Sequence, residues 1–271
     1  MTLISSGSPS ESSATPHRID RPATRRPERR REDRAAPPFQ YQGASEFLID
    51  ALANAYYAEQ SVSITWLNHY SARHALAEPS TRTFDLVGVD GKLFQFILAA
   101  RHRTSADLVL PRLLPRLNEA RVVLVGGSTE TLQKRQKAVE ALLHPNGAVV
   151  LALDGYADLP PLDAFEAKLA ECDANIVIVA LGAGLQEAYA ARAKRAFQSG
   201  GISATCGGLL DQLLTPGYYP RWAYPLKLNW LVRLAREPRR LWRRYTLDAF
   251  YAVATAGNMR RRSRALRGLW P

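Results

Sequence analysis

Four features of this sequence could do chemistry together: Asp90 followed by Gly91, the amide Asn68, the segment Gly182-Ala183-Gly184-Leu185-Gln186-Glu187, and an arginine array between Arg233 and Arg244. A carboxylate at the end of a strand can serve as a general base, although Asp-Gly also makes an ordinary turn. Arginines bind phosphate oxygens through paired hydrogen bonds. Other chemistries lack their residues. No Gly-Lys-Ser/Thr supplies a P-loop, no Gly-x-Ser-x-Gly presents a serine nucleophile, and no Asp-x-Asp is present to hold a metal–nucleotide pair. His69 and His74 have no third ligand grouped with them, so neither a metal nor a cofactor is expected. The glycines before Gln186 follow a strand and open a helix, but Glu187 stands where a dinucleotide fingerprint needs its third glycine, which argues against hydride transfer.

These residues must be placed by elements that the hydrophobic pattern marks out. A helix is expected over residues 45–59 with Ser45 as its N-cap, then a strand over 62–67 ending at Asn68. A short helix over 71–77, a strand over 84–89 running into Asp90, and helices over 92–101 and 110–120 follow. Strands over 121–125, 148–153, 175–181 and 202–206 then alternate with helices over 129–143, 162–172 and 186–198. Short, nearly all-apolar strands alternating with helices indicate an α/β fold whose parallel sheet is buried on both faces. Ligands of such sheets sit beyond the carboxyl ends of the strands, where Asn68, Asp90, Gly126-Gly127, Gly155-Tyr156, Gly182 and Gly207 fall.

Charge divides the chain unevenly. Residues 221–271 carry 13 Lys+Arg against 2 Asp+Glu, whereas residues 1–40 carry 8 against 5. The intervening body is slightly acidic, so the basic excess is concentrated near the C-terminal end. There Trp230, Leu241, Trp242 and Tyr245 interleave with the arginines. A helix opening at Pro238 is expected to put Leu241, Trp242, Tyr245 and Ala249 on one face. A basic amphipathic helix with tryptophans suits an anionic membrane surface; packing of its apolar face on the sheet domain is the plainer alternative. No apolar run approaches the ~18–20 residues that cross a bilayer, and no compact secretory signal opens the chain. Cys172 and Cys206 suggest two ordinary thiols in a reducing compartment. Residues 1–40, rich in Ser, Pro and Arg, are expected to be disordered.

The segment Trp230-Leu231-Val232-Arg233-Leu234-Ala235-Arg236-Glu237-Pro238-Arg239-Arg240-Leu241-Trp242-Arg243-Arg244-Tyr245 resembles the C-terminal signature of the WecG/TagA/CpsF glycosyltransferase family. Gly182-Ala183-Gly184-Leu185-Gln186-Glu187 is similar to that family's G-x-G-x-P-K-Q-E loop, and Cys206-Gly207-Gly208-Leu209-Leu210-Asp211 to its V-G-G-x-F-D segment. Pro220-Arg221-Trp222, Leu67-Asn68, Asp85-Leu86-Val87-Gly88-Val89-Asp90-Gly91 and Thr104-Ser105-Ala106-Asp107-Leu108 extend the likeness over about residues 45–250. Trp66, Leu185 and Asn229 depart from it, standing where Thr, Lys and Glu are usual. They bear on sugar specificity and resemble the branch that assembles gum-type exopolysaccharides.

The resemblance implies a Rossmann-like parallel sheet flanked by helices over residues 41–217, with a basic helical appendage over 218–271 that docks at a membrane. It implies an inverting transfer from a UDP-sugar to a polyprenyl-diphosphate-linked saccharide at the cytoplasmic face of the plasma membrane. By the same resemblance Asp90 is the general base, while Asn68, Gly126, Gly127, Gly155, Tyr156, Gly182, Gln186, Glu187 and Gly207 line the substrate site. Arg233, Arg236, Arg240, Arg243 and Arg244 would neutralise a diphosphate. No nucleic-acid partner is expected on this reading, and a homo-oligomer is left open. The competing reading is a non-catalytic phosphate- or nucleic-acid-binding protein that uses the basic tail.

Overall fold

The computed structural model describes residues 42–157, 159–215, 217–220, 223, 226, 228–266 and 269. The expected tail over residues 1–40 lies outside them, as do Arg221 and Trp222.

Six strands form one all-parallel sheet: β1 (Ser61–Leu67), β2 (Leu86–Val89), β3 (Arg121–Val125), β4 (Ala148–Leu153), β5 (Ile176–Val179) and β6 (Gly201–Thr205). Their order is β2-β1-β6-β5-β3-β4. β6 enters between β1 and β5, pairing Ile64 with Ala204 on one side and Val179 with Thr205 on the other. Every residue of β5 and β6 is buried, as a sheet covered on both faces requires.

Helices α1 (Gln42–Tyr57), α2 (Ser71–Ala75), α3 (Lys92–Leu98), α4 (Ala106–Leu113), α5 (Thr129–Glu140), α6 (Leu162–Glu171), α7 (Leu185–Ala196) and α8 (Leu209–Leu213) connect and flank the strands. Two apolar cores result. One gathers Leu67, Val87, Phe94, Val123, Phe165, Val177 and Tyr189; the other gathers Leu48, Ile64, Leu110, Leu124, Ile178 and Leu209.

Four further helices close the C-terminal part: α9 (Asn229–Arg236), α10 (Pro238–Tyr245), α11 (Leu247–Ala254) and α12 (Ala256–Arg264). The last of them, α12, packs on the β2 side of the sheet, and the chain beyond it follows. Arg260 Nε donates to the Ile97 carbonyl at 2.8 Å, Arg262 donates to the Leu76 carbonyl, and Leu269 makes a parallel bridge to Val87.

Three sequence expectations need correction. Ser45 does not cap α1: the helix starts at Gln42 and Ser45 is buried within it. Gln42, Gly43 and Ala44 before it carry no capping signal that would mark the true start. The helix expected over residues 110–120 begins earlier, at Ala106, and ends at Leu113. Pro115 then tightens the chain into a short 3-10 turn, Leu114–Arg116. The face joining Leu241 to Ala249 is broken, because Thr246 ends α10 at φ −114° and ψ −80° and α11 starts a new axis. Leu241 is buried while Trp242 remains 49% exposed.

Candidate functional site

The carboxyl ends of the strands and the helices α9–α11 enclose a cleft of about 1180 Å³. Asp90, Asn68, Gly127, Gly155, Tyr156, Gly182, Gln186, Gly207, Arg233, Arg243 and Arg244 all line it. Gly126, Glu187 and Arg236 do not, and the side chain of Arg240 lies outside the described residues.

Each lining group has a local cause. Asp90 follows β2 directly, and its N–H donates to the Leu67 carbonyl at 2.7 Å, which aligns the ends of β1 and β2. Asn68 follows β1. Its Oδ1 accepts from the N–H groups of Tyr70 and Ser71 at 3.0 and 2.9 Å, holding the start of α2. That use of the oxygen leaves the Asn68 amide N–H₂ as the group it can offer to a ligand.

Glu187 sits beneath the cleft and is fully buried. It accepts from the Thr65 hydroxyl at 3.0 Å, the Gln186 side-chain amide at 2.9 Å and the Gly184 N–H at 2.6 Å. Burial pushes its carboxyl pKa up, and the three donors oppose that shift. Glu187 is thus a positioning residue. By holding the Gln186 N–H₂ group it orients the Gln186 Oε1, a buried oxygen without a protein partner.

Gly126 and Gly127 close the end of β3 with φ of +122° and +93°, in the left-handed region where glycine is at ease. A Cβ on Gly126 would collide with the Ala180 carbonyl, so glycine allows the β3 and β5 ends to touch. Gly155 N–H donates to the Gly127 carbonyl at 2.9 Å. Asp154 shapes the next turn, accepting from the Thr129 hydroxyl and from the N–H groups of Ala157 and Tyr156, and these bonds hold its pKa at about 2. Tyr156 is left 83% exposed at the cleft mouth.

The C-terminal helices supply the opposite wall. Burial works against the Arg233 charge, and Tyr219, Tyr245, Asp90 and Tyr218 outweigh it, holding its pKa above the ordinary arginine value. The Arg244 pKa is lowered by burial and by the neighbouring charge of Arg233. The Arg244 guanidinium lies 4.8 Å from the Tyr70 ring centre. Arg243 is exposed at the rim. Arg236 instead stacks 4.8 Å over Tyr218, outside the cleft lining.

Asp107 and Arg135 are among the charged lining residues to which the sequence assigns no role. Burial and then the charge of Asp90 raise the Asp107 pKa, against Ser105, Arg103 and Arg233. Arg135 projects from a helix that the pattern marks only as amphipathic, so its type and spacing gave no signal. Trp66 lines the floor with its buried indole N–H unpartnered. Gly88 makes room for that indole: a Cβ there would overlap both Trp66 and the Thr104 hydroxyl. Among the described residues, no group of three or more His, Cys, Asp or Glu could hold a metal ion.

His69 joins the two walls. Its Nε2–H donates to the Arg244 carbonyl at 3.0 Å, and its ring lies 6.1 Å from that of Tyr245. Burial depresses its pKa below 6.5, with the Arg244 charge adding to the effect; the hydrogen bond to that carbonyl, Asp248 and Asp90 oppose it. A depressed value in the folded state means stability present above pH 6.5 that is lost as pH falls through the folded pKa. Each unit of depression is about 1.4 kcal/mol. His69→Gln, which keeps a donor, is expected to lose less melting temperature than wild type between pH 7.5 and 5. Parallel curves would show that His69 does not titrate in this window.

A parallel sheet with a strand-end cleft lined by carboxylates, arginines and glycine turns defines a Rossmann-like α/β protein. Residues 40–265 match the glycosyl transferase WecG/TagA/CpsF family, and the chain belongs to that family. It is therefore a glycosyltransferase, with a sugar donor and an acceptor as its partners.

Proposed function

We propose that this protein is an inverting hexosyltransferase that moves a sugar from a UDP-sugar to a polyprenyl-diphosphate-linked saccharide in exopolysaccharide or other surface-polysaccharide assembly. The observation that carries this reading is the meeting of Asp90 with Arg233 and Arg244 in one cleft, each wall coming from a different part of the chain. The Asp90 carboxylate removes the proton from an acceptor hydroxyl as that oxygen attacks the anomeric carbon. The bond from that carbon to the diphosphate breaks, and its electron pair leaves with UDP. A single displacement inverts the anomeric centre. Charge growing on the leaving oxygens is met by preorganised guanidinium groups lining the cleft. The exposed Tyr156 ring at the rim of the glycine turns is suited to stacking on a nucleobase.

The reading places the enzyme peripherally at the inner face of the plasma membrane. Among the described residues no helix is long and apolar enough to cross a membrane. Trp242, Leu247, Phe250 and Val253 are exposed on α10 and α11, with Phe250 at 77% exposure, beside Arg239 and Arg243. Apolar side chains interleaved with arginines suit the interface of an anionic bilayer.

The test is a thermal-shift panel of UDP-sugars on the full chain, followed by transfer to a polyprenyl-diphosphate saccharide in vesicles containing anionic lipid. One UDP-sugar is expected to raise the melting temperature and to support transfer. Phe250→Ser with Trp242→Ser is expected to lower vesicle binding about tenfold or more, given ~1.5–3 kcal/mol for burying one large apolar side chain. No response to any UDP-sugar would overturn the donor class, and unchanged vesicle binding would overturn the docking surface.

A further inference from the structure

Arg135 lies on α5, away from the C-terminal arginines, yet its side chain reaches the same cleft. Asp211, at the start of α8, pairs with its Nη2. The guanidinium covers Gly127 so closely that a Cβ there would overlap Nη1 and Cζ. Its Nε is buried without a hydrogen-bond partner. The pair is unequal in depth: the Arg135 side chain is 11% exposed and that of Asp211 44%.

A strut joining α5 to α8 would explain the Asp211 contact alone. It would not explain why the cation is the deeper partner, nor why the guanidinium lies over the turn at the end of β3. A guanidinium carries five N–H donors in a fixed fork, and Asp211 engages only one edge of it. A buried donor without a partner is costly, and such groups collect where ligands complete their bonding. In a parallel α/β sheet, the turns beyond the strand ends are where a nucleotide lies.

We propose that Arg135 binds the diphosphate of the nucleotide donor, with Asp211 as the residue that holds it in place. The inference rests on the UDP-sugar reading above and deepens it. The core contributes its own cation to the donor, on the glycine-turn side of the cleft. Arg233 and Arg244 approach from α9 and α10 on the Asp90 side. Donor affinity then depends chiefly on Arg135, and stabilisation of charge during transfer depends chiefly on the other two.

Calorimetric titration of UDP, UMP and uridine into the full chain, wild type and Arg135→Met, tests this. Charge-assisted hydrogen bonds are worth ~1.5–3 kcal/mol, so UDP affinity is expected to fall about 10–100-fold, UMP affinity less, and uridine affinity not at all. Equal UDP affinity in both proteins, or equal losses for UDP and uridine, would overturn the proposal. If Arg135→Met does not fold, Arg135→Lys replaces it. An ammonium cannot grip Asp211 and a phosphate as a fork does, so a loss confined to UDP is again expected, and wild-type affinity would overturn the proposal. A wild-type protein that binds no UDP would overturn the donor reading itself, an outcome distinct from the other two.

Discussion

Asp90→Asn is expected to fold as wild type does and to lose turnover by about 10²–10⁴-fold, the usual contribution of a positioned general base. Folding should survive because Asp90 makes its structural bond through the backbone, to the Leu67 carbonyl. Its carboxylate makes no hydrogen bond among the described residues, so the amide leaves none broken. The electrostatic surroundings change in a defined way. The Asp90 charge helps to raise the Asp107 pKa and to hold that of Arg233 up. Removing it should bring the Asp107 pKa down, visible as a carboxyl titration displaced to lower pH in the variant. Turnover by Asp90→Asn within tenfold of wild type, with donor binding intact, would move the base to another residue. Asp107 would then be the first candidate, since it lines the same cleft.

The second large effect belongs to Arg233. Its Nη2 approaches Gly208, at 3.0 Å from where a Cβ there would stand, while its charge reaches both Asp90 and Asp107. It lies between Asp90 and the strand-end turns, where the diphosphate of the proposed donor would gather negative charge as it departs. Removing one preorganised donor from such a position costs about 10²–10³ in kcat. Arg233→Met is expected to show that loss with a much smaller change in UDP affinity, the reverse of the pattern for Arg135→Met. Arg233→Lys should recover part of the rate, because charge returns without the fork. UDP release from a UDP-sugar and lipid-linked acceptor measures both constants. A loss confined to KM would reassign Arg233 to ground-state binding.

Much of this arrangement was legible in the sequence because strand ends carry their own punctuation. The bounds of β3 and β4 follow from apolar runs stopped by Gly126 and Asp154, and Asn68, Asp90 and Gln186 do meet at one edge of the sheet. Glu187 was placed at the site for its position in the loop. Its role is one layer deeper, because a carboxylate with three internal donors turns away from the ligand. Arg236 belonged to the right array but faces Tyr218, since a helix spreads consecutive arginines around its axis. Arg135 leaves no such trace, and Asp107 is marked only by its place in the segment running from Thr104 to Leu108. Nothing in an amphipathic helix tells which charged residue turns inward until the β3 end and α8 are in place beside it.

The strand order has a consequence for how the molecule comes together. β1 with β2, and β3 with β4, can pair early, but the two pairs share no border until β6 slots between β1 and β5. Ser61 must wait for Gly201 before the seam closes. Asp90 and the glycine turns of β3 and β4 lie on opposite sides of that seam. Thr205 marks the join, with its hydroxyl 2.8 Å from that of Thr65. Chain synthesis therefore makes the β1–β2 and β3–β4 parts of the cleft floor well before β6, the strand that joins them. Zipping across so wide a sequence separation is intrinsically slow. A lesion in β6 is expected to keep Asp90 apart from those turns.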